Sequence, residues 1–535
     1  MTGHLTEPDR RQARHRYSGI DELELRARVD GILTCRPAVG LAVGVVRNGS
    51  LEFFAGHGVA DVASNTPITQ DTVFRVGSIT KTFTAIAVMQ LWEQGRLDLD
   101  APANDYLCAY KLVPAKTSFR PATVRHLLTH TAGIPEVVHV SELLHPGWGP
   151  FGGRPVLYSV KVGEPMPSLA EYYRNGLRLV VEPGTAFAYT NHGFATLGQI
   201  VEDVSGMSLA RYYREHVFEP LGMTDTDLVR SELVAPRLAT GYVLGRGGAR
   251  AVPDRDWIGA GAGGIYSSTR DMARFVAALL GGGANEHGSM VKPETLATMF
   301  EHHHQPDPRL PGIGLGFFRG DAGGHLVVSH EGILPGFNSG LFVAPDDGVG
   351  VIAFTNGSSG AFVWLQTELG SLLRRLLDVP DEVVRTDLPH HPEIWGDLCG
   401  RYRLPERISD LRGRVAMGAG AQVFVRGGRL MVRLLTPLPA LYRGLALHPD
   451  DEQDPYVFRL DLSKFGTTVR VAFVREPGAG TTAMHTDLQL QSLYKQPATG
   501  GSRSRATGAL GALTIAGAAT AARRRRRGRS EEVME

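Results

Sequence analysis

Lysine is scarce in this chain. Of 535 residues, 56 are Lys or Arg, yet only seven are lysine, so a lysine in an apolar setting asks for a reason beyond codon bias. Cysteine is scarcer still. Cys35, Cys108 and Cys399 are odd in number and far apart, which excludes a disulfide framework and a cysteine-built metal site. They are expected to be buried small hydrophobes. Charge of one sign is missing too: the formal net charge is +1, so no global field recruits nucleic acid. The opening residues MTGHLTEPDRRQARHRYSG lack the apolar core of a signal peptide. A cytoplasmic protein is expected, with peripheral or C-terminal membrane association as the alternative.

What is present is ordinary globular material, 43% hydrophobic and 21% charged, in a chain longer than one compact domain usually is. Residues 1–19 read as a disordered arm, and 20–33 carry helical spacing at Ile20, Leu23, Leu25, Val29 and Leu33. Two strand-like runs then meet at Asn48-Gly49, a tight-hairpin signal. GAGGIYSST (261–269) reads as a strand, and three more strand runs between 325 and 356 read as an antiparallel meander. An amphipathic helix over 361–379 closes the first domain, placed at 20–380. A Pro-rich linker (381–393) leads to short alternating runs over 394–497, the texture of a small antiparallel barrel or sandwich. The tail, 498–535, is of low complexity. Its uncharged stretch is mostly Ala, Gly and Thr, too weak to span a bilayer, and the five arginines after it suit a weak contact with an anionic membrane surface.

The chemistry starts at RVGSITKTFTAIAVMQLWEQG (75–95). Ser78 and Lys81 are three apart, on one face of a helix, and Ser78 sits in the first turn, where backbone N–H groups are unpaired. A serine hydroxyl needs a base to become a nucleophile, and burial or a nearby charge can bring a lysine into that role. The flanking Val76, Ile79, Phe83, Ile86 and Met89 predict such burial. Three of the seven lysines have a serine three residues before them, Lys81, Lys292 and Lys495, and Lys81 is the one at the start of a long apolar helical run.

Two further groups lie far along the chain: Tyr189-Thr190-Asn191 just before an amphipathic helix, and His330-Glu331-Gly332 closing a strand. Ser-x-x-Lys, Tyr-x-Asn and His-x-Gly in this order resemble the serine β-lactamase and penicillin-binding protein superfamily, in the branch of class C enzymes, D-aminopeptidases and esterases. LLTHTAGIP (127–135), GAGGIYSSTRDMARF (261–275) and HEGILPGFNSG (330–340) extend the likeness over roughly 20–380. Tyr173 and His145 also fit the short patterns but lack the setting: Tyr173 lies in a helical pattern, where it should pack, and His145 in a Gly/Pro loop.

The resemblance implies an α+β fold of the serine β-lactamase/transpeptidase type, an antiparallel sheet flanked by helices beside a helical subdomain, with the small C-terminal barrel added. It implies that Ser78 forms an acyl-enzyme, with Lys81 and Tyr189 as base and proton shuttle in an order left open. Asn191 would position the substrate amide or Lys81. The backbone N–H groups of Ser78 and Ile333 would hold the oxyanion, and Gly332 would let substrate approach the strand edge. His330 replaces the lysine of penicillin-recognising relatives, which turns the expectation from β-lactams toward small esters, amides or peptides. No cofactor and no metal are expected. His302, His303 and His304 read as solvated, and His126 and His130, though spaced i, i+4, as packing residues. An acyltransferase using the same acyl-enzyme, and a catalytically idle binding module, are the alternatives; oligomeric state stays open.

Overall fold

The computed structural model describes residues 22–136, 159–245, 247–404, 419–435, 442–463, 467–476, 478 and 480–497. The expected arm at 1–19, His145, most of the Gly/Pro-rich stretch around 140–165 and the basic tail lie outside them. The hairpin is as read: β1 (Gly40–Arg47) and β2 (Ser50–Asp61) are joined by Asn48 and Gly49 at φ 53° and 79°. These are left-handed values that match the strand twist. The remaining strands of the sheet are β3 (Thr66–Pro67), β4 (Gly312–Ile313), β5 (Phe318–Ala322), β6 (His325–Leu334), β7 (Phe337–Ala344) and β8 (Val349–Thr355). Their order is β4-β5-β6-β7-β8-β1-β2-β3. The meander β6-β7-β8 thus pairs antiparallel onto the early hairpin, with Leu41 opposite Thr355 and Arg47 opposite Val349.

Period-two alternation sends β1 side chains to both faces. Leu41, Val43 and Val45 pack with Val349, Val351 and Ala353 under two helices, α1 (Glu22–Cys35) and α5 (Ala361–Leu376), through Leu25, Val29, Trp364 and Leu369. Ala42 and Val46 face the other way, with Ile352 and Phe354, into the larger core. That core holds α2 (Thr80–Glu93), α3 (Asn191–Ser205) and α4 (Thr269–Leu280). Covering both faces explains why β1 and β8 are nearly continuous apolar runs.

GAGGIYSST divides. Ala260–Gly263 forms one helical turn, and only Tyr266–Ser268 is a strand, paired with Val73–Arg75. The cysteines depart from expectation: Cys35 and Cys108 are exposed and Cys399 is half-buried, all as free thiols. Cys35 ends α1 and Cys108 lies in a loop, where no apolar neighbours close over them.

The described residues up to Lys495 form one compact unit. Its last part is a closed eight-stranded barrel of β9 (Gly400–Arg403), β10 (Ala421–Arg426), β11 (Arg429–Leu434), β12 (Leu445–Pro449), β13 (Val457–Leu462), β14 (Thr467–Glu476), β15 (Gly480–Thr486) and β16 (Ser492–Lys495). Closure comes from Tyr402 opposite Lys495. The inside is filled by Tyr402, Val432, Phe458, Val471, Phe473 and Leu493, as eight strands allow. Arg309, ahead of β4, ties body to barrel: it pairs with Asp454 at 2.8 Å and donates to the Phe473 carbonyl. Among the described residues no helix is long and apolar enough to cross a membrane.

Candidate active site

α2 is buried from Thr80 to Leu91, as befits a central helix with no solvent face. Thr82 Oγ1 donates locally to the Ile79 carbonyl at 2.8 Å, while Thr84 Oγ1 bonds to Tyr213 and to the Gly261 carbonyl, and Thr80 Oγ1 accepts from the Ile265 N–H. A tight turn, Gly77–Ile79, precedes it, with Gly77 at φ 55°, a value for which glycine is suited. Gly77 and Ile79 are buried, whereas Ser78 between them is half-buried. The turn therefore presents the hydroxyl and hides its neighbours.

Lys81 is 0% exposed. Its Nζ donates to Ser78 Oγ at 3.0 Å, to Asn191 Oδ1 at 2.7 Å and to the Ala262 carbonyl at 2.8 Å. The single helical turn at Ala260–Gly263, unforeseen in the sequence, supplies that third acceptor. Nζ also lies 4.8 Å from the centre of the Tyr189 ring and 5.8 Å from that of Phe194, within cation–π range. Ser78, Lys81, Tyr189 and Asn191 are thus brought to one place.

The start of α3 delivers the last two. Thr190 caps the helix, accepting from the His192 N–H at 3.2 Å, which fixes the extended run that carries Tyr189. His130 holds it from the other side: its ring stacks on Tyr189 at 4.3 Å, and its Nδ1 accepts from the Thr190 N–H at 3.2 Å. His130 itself stands at φ 56°, an uncommon conformation for a non-glycine residue and one that marks functional sites. It is a packing residue, as read, but what it packs is the candidate tyrosine. His126, by contrast, completes a capping box with Thr123.

β6 forms the opposite wall. A Cβ on Gly332 would lie 2.0 Å from the Val76 carbonyl and 2.2 Å from Ser339 Oγ, and one on Gly77 would lie 2.9 Å from the Ile333 nitrogen. Bare backbone therefore meets bare backbone here, with Ser339 Oγ donating to Val76 O at 2.7 Å as the clasp. The Ile333 N–H and the serine turn become neighbours. His330 is 3% exposed, with Nδ1 at 2.7 Å from the Glu331 carbonyl. A carbonyl only accepts, so Nδ1 carries the proton. Burial, and next the Lys81 charge, hold its pKa down to about 3, against the Glu331 hydrogen bond. The imidazole is neutral at ordinary pH.

Sequence reasoning missed Glu136. It is 1% exposed, and both its oxygens accept from Asn191. The signal was an acidic residue directly after LLTHTAGIP, with no other Asp, Glu, Lys or Arg between Arg125 and Glu142. Tyr173, set aside as a decoy, caps the end of a short helix, and its hydroxyl meets His192 Nδ1 at 2.6 Å. The His triplet is less solvated than expected: only His302 is exposed. His303 is held by Arg125 and by the Thr298 carbonyl, and His304 stacks on Phe187. Among the described residues no group of His, Cys, Asp or Glu could hold a metal ion.

One neighbour comes from the barrel. The turn Leu488–Leu490 brings Leu490, buried at φ 51°, into a cluster with Phe187, Tyr189, Ile313 and Phe318.

An antiparallel sheet with helices on both faces, a buried central helix opening on a serine, and a β-strand passing beside that serine make up the β-lactamase/transpeptidase-like fold. The family model described as Beta-lactamase matches residues 25–367, most of the chain, and the protein belongs to that family. Penicillin-binding protein 4 of Amycolatopsis lactamdurans is 29% identical over 63% of this chain and 86% of its own length. Esterase EstB of Burkholderia gladioli is also 29% identical, over 63% of this chain and 92% of its own. The octameric penicillin-binding protein homologue from Pyrococcus abyssi superposes with a TM-score of 0.57 at 25% identity, covering 89% of this chain and all of that one.

Proposed function

We propose that the protein is a serine hydrolase that cleaves small esters or amides lacking a free carboxylate, through an acyl-enzyme on Ser78. The observation that carries this reading is the 3.0 Å contact of a fully buried lysine with the hydroxyl of a half-exposed serine. A buried ammonium is costly to keep, and a binding module without chemistry has no use for it. Ser78 Oγ adds to the substrate carbonyl carbon as its proton passes to the Lys81–Tyr189 pair. The tetrahedral oxyanion sits between the N–H groups of Ser78 and Ile333. Collapse expels the alcohol or amine with that proton, and water then releases the acid by the same steps in reverse roles.

Substrate class follows from His330. A neutral imidazole at this position offers no fixed cation to a carboxylate, so β-lactams and peptides with a free C-terminus lose an anchor that uncharged esters do not need. The likeness to an esterase supports the same direction. Aromatic and aliphatic side chains around Tyr189, including Leu490 from the barrel, suit an apolar acyl group of limited size.

The test is labelling with a fluorophosphonate probe and turnover of a chromogenic short-chain ester. Both are expected in the wild type and absent in Ser78→Ala; label or turnover that survives the substitution overturns the assignment. A panel of esters, D-peptides and β-lactams then reads the substrate order, with uncharged esters expected first. Adding a primary alcohol or amine as competing acceptor separates hydrolysis from acyl transfer.

A further inference from the structure

An isolated buried carboxylate is costly unless something compensates it, and Glu136 is 1% exposed. Each of its oxygens accepts a hydrogen bond from Asn191. Oε2 accepts from the Asn191 backbone N–H at 2.9 Å, and Oε1 from Asn191 Nδ2 at 2.8 Å. Using Nδ2 this way orients the amide, so that Oδ1 faces Lys81 Nζ at 2.7 Å. A carboxylate at one end and an ammonium at the other polarise the amide in the same sense. Glu136 also stands at the first N–H of α3, where the helix dipole favours a negative charge.

The surroundings of Lys81 say which form it takes. An ammonium has three protons and no acceptor, and Nζ faces three acceptors, on Ser78, Asn191 and Ala262. Among the described residues, titratable groups placed around it include Tyr189 at the start of α3, His330 on β6 and Glu136 behind Asn191; His330 is neutral. The position of Glu136 is itself fixed: its carbonyl accepts from His192 Nε2 at 2.9 Å, and His192 Nδ1 accepts from the Tyr173 hydroxyl at 2.6 Å.

We propose that Glu136 is the buried counter-charge of Lys81: acting through the Asn191 amide, it holds Lys81 as an ammonium against Ser78 in the resting protein. The inference rests on the Ser78–Lys81 reading above and names the residue that tunes it. Glu136 is a positioning residue. A base role for Lys81 begins with loss of a proton that Glu136 opposes.

The scarcity of lysine makes the test direct. With seven lysines, 13C-labelled lysine Cε signals can be titrated by NMR, and Lys81 assigned by its absence in Lys81→Arg. Glu136→Gln removes the charge and keeps the shape. Because an opposite charge raises a lysine pKa, its removal is expected to lower the Lys81 midpoint by about one pH unit, a roughly tenfold loss of proton affinity. A midpoint that is unmoved or raised overturns the proposal. Glu136→Asp, with the charge one methylene further from Asn191, guards against a Gln variant that fails to fold. A downward shift of about half a unit is expected there, and an unmoved midpoint again overturns the proposal. The titration needs no turnover, so fluorophosphonate labelling of Ser78 run beside it separates two failures. Absent label with a shifted midpoint sinks the Ser78 assignment alone; label with an unmoved midpoint sinks the role of Glu136 alone.

Discussion

Two buried basic side chains face each other across the candidate site, and their surroundings are opposite. Lys81, at the start of α2, is ringed by a hydroxyl, an amide oxygen and a carbonyl. His330, on β6, has one carbonyl partner and lies among the rings of Phe318 and Tyr189. Burial penalises a cation on either side, and three acceptors repay the penalty where one does not. On the proposed reading the helix side is built to hold a charge, and the strand side refuses one. Residue type alone would not have told them apart.

The largest expected effect comes from removing the charged side. Lys81→Ala should lower kcat/KM for a short-chain ester by about 10²–10⁴-fold, the range for loss of a positioned proton-transfer group, while His330→Asn should cost under about tenfold. Steady-state kinetics on the two variants decides it, and equal losses would end the contrast.

Next is His330→Lys, which places a second cation beside the first. An uncompensated buried charge costs about 3–5 kcal/mol, so the melting temperature should fall by several degrees relative to wild type. A thermal melt that does not move would mean that the strand side accepts a cation after all.

The pH dependence of stability sharpens the same point more gently. The folded His330 pKa is about 3 and the unfolded value about 6.5, so between them the unfolded chain binds the extra proton. Stability from this site is complete above about pH 6.5 and is lost as pH falls toward 3. Urea midpoints at pH 7 and pH 5 should therefore diverge more in wild type than in His330→Asn.

The smallest effect is expected at the edge of the site. Leu490→Ala removes one apolar side chain from the cluster around Tyr189, and each methylene gained or lost in an apolar pocket is worth about 1–3 kcal/mol in discrimination. The preferred acyl chain should lengthen by one to three carbons, with little change on the shortest esters. An unchanged chain-length profile would place Leu490 outside the pocket.

Much of this was legible in the sequence for a physical reason: periodicity and turn chemistry are local. Asn48-Gly49, the β6-β7-β8 meander and the α2 and α5 helices all announced themselves within a dozen residues, and Ser78 and Lys81 share one turn. Contacts made by backbone or across long separations were not legible. The Ala262 carbonyl has no side-chain signature, Glu136 matters only because α3 starts beside it, and Leu490 reaches Tyr189 from another element of the fold. His130 was read as packing, and its importance lies in which ring it packs against.

The acceptor set around Lys81 also has a history in time. Ala262 follows Lys81 by 181 residues and Asn191 by 110, and chains are made at about 5–20 residues per second. For roughly 10–40 s of synthesis the turn that carries Ser78 exists without the partners that seat Lys81. The β1–β2 hairpin waits longer still, since its neighbour β8 arrives only at residue 355. An unpaired apolar strand invites wrong partners, so the hairpin is where a ribosome-bound chain of this protein needs shelter.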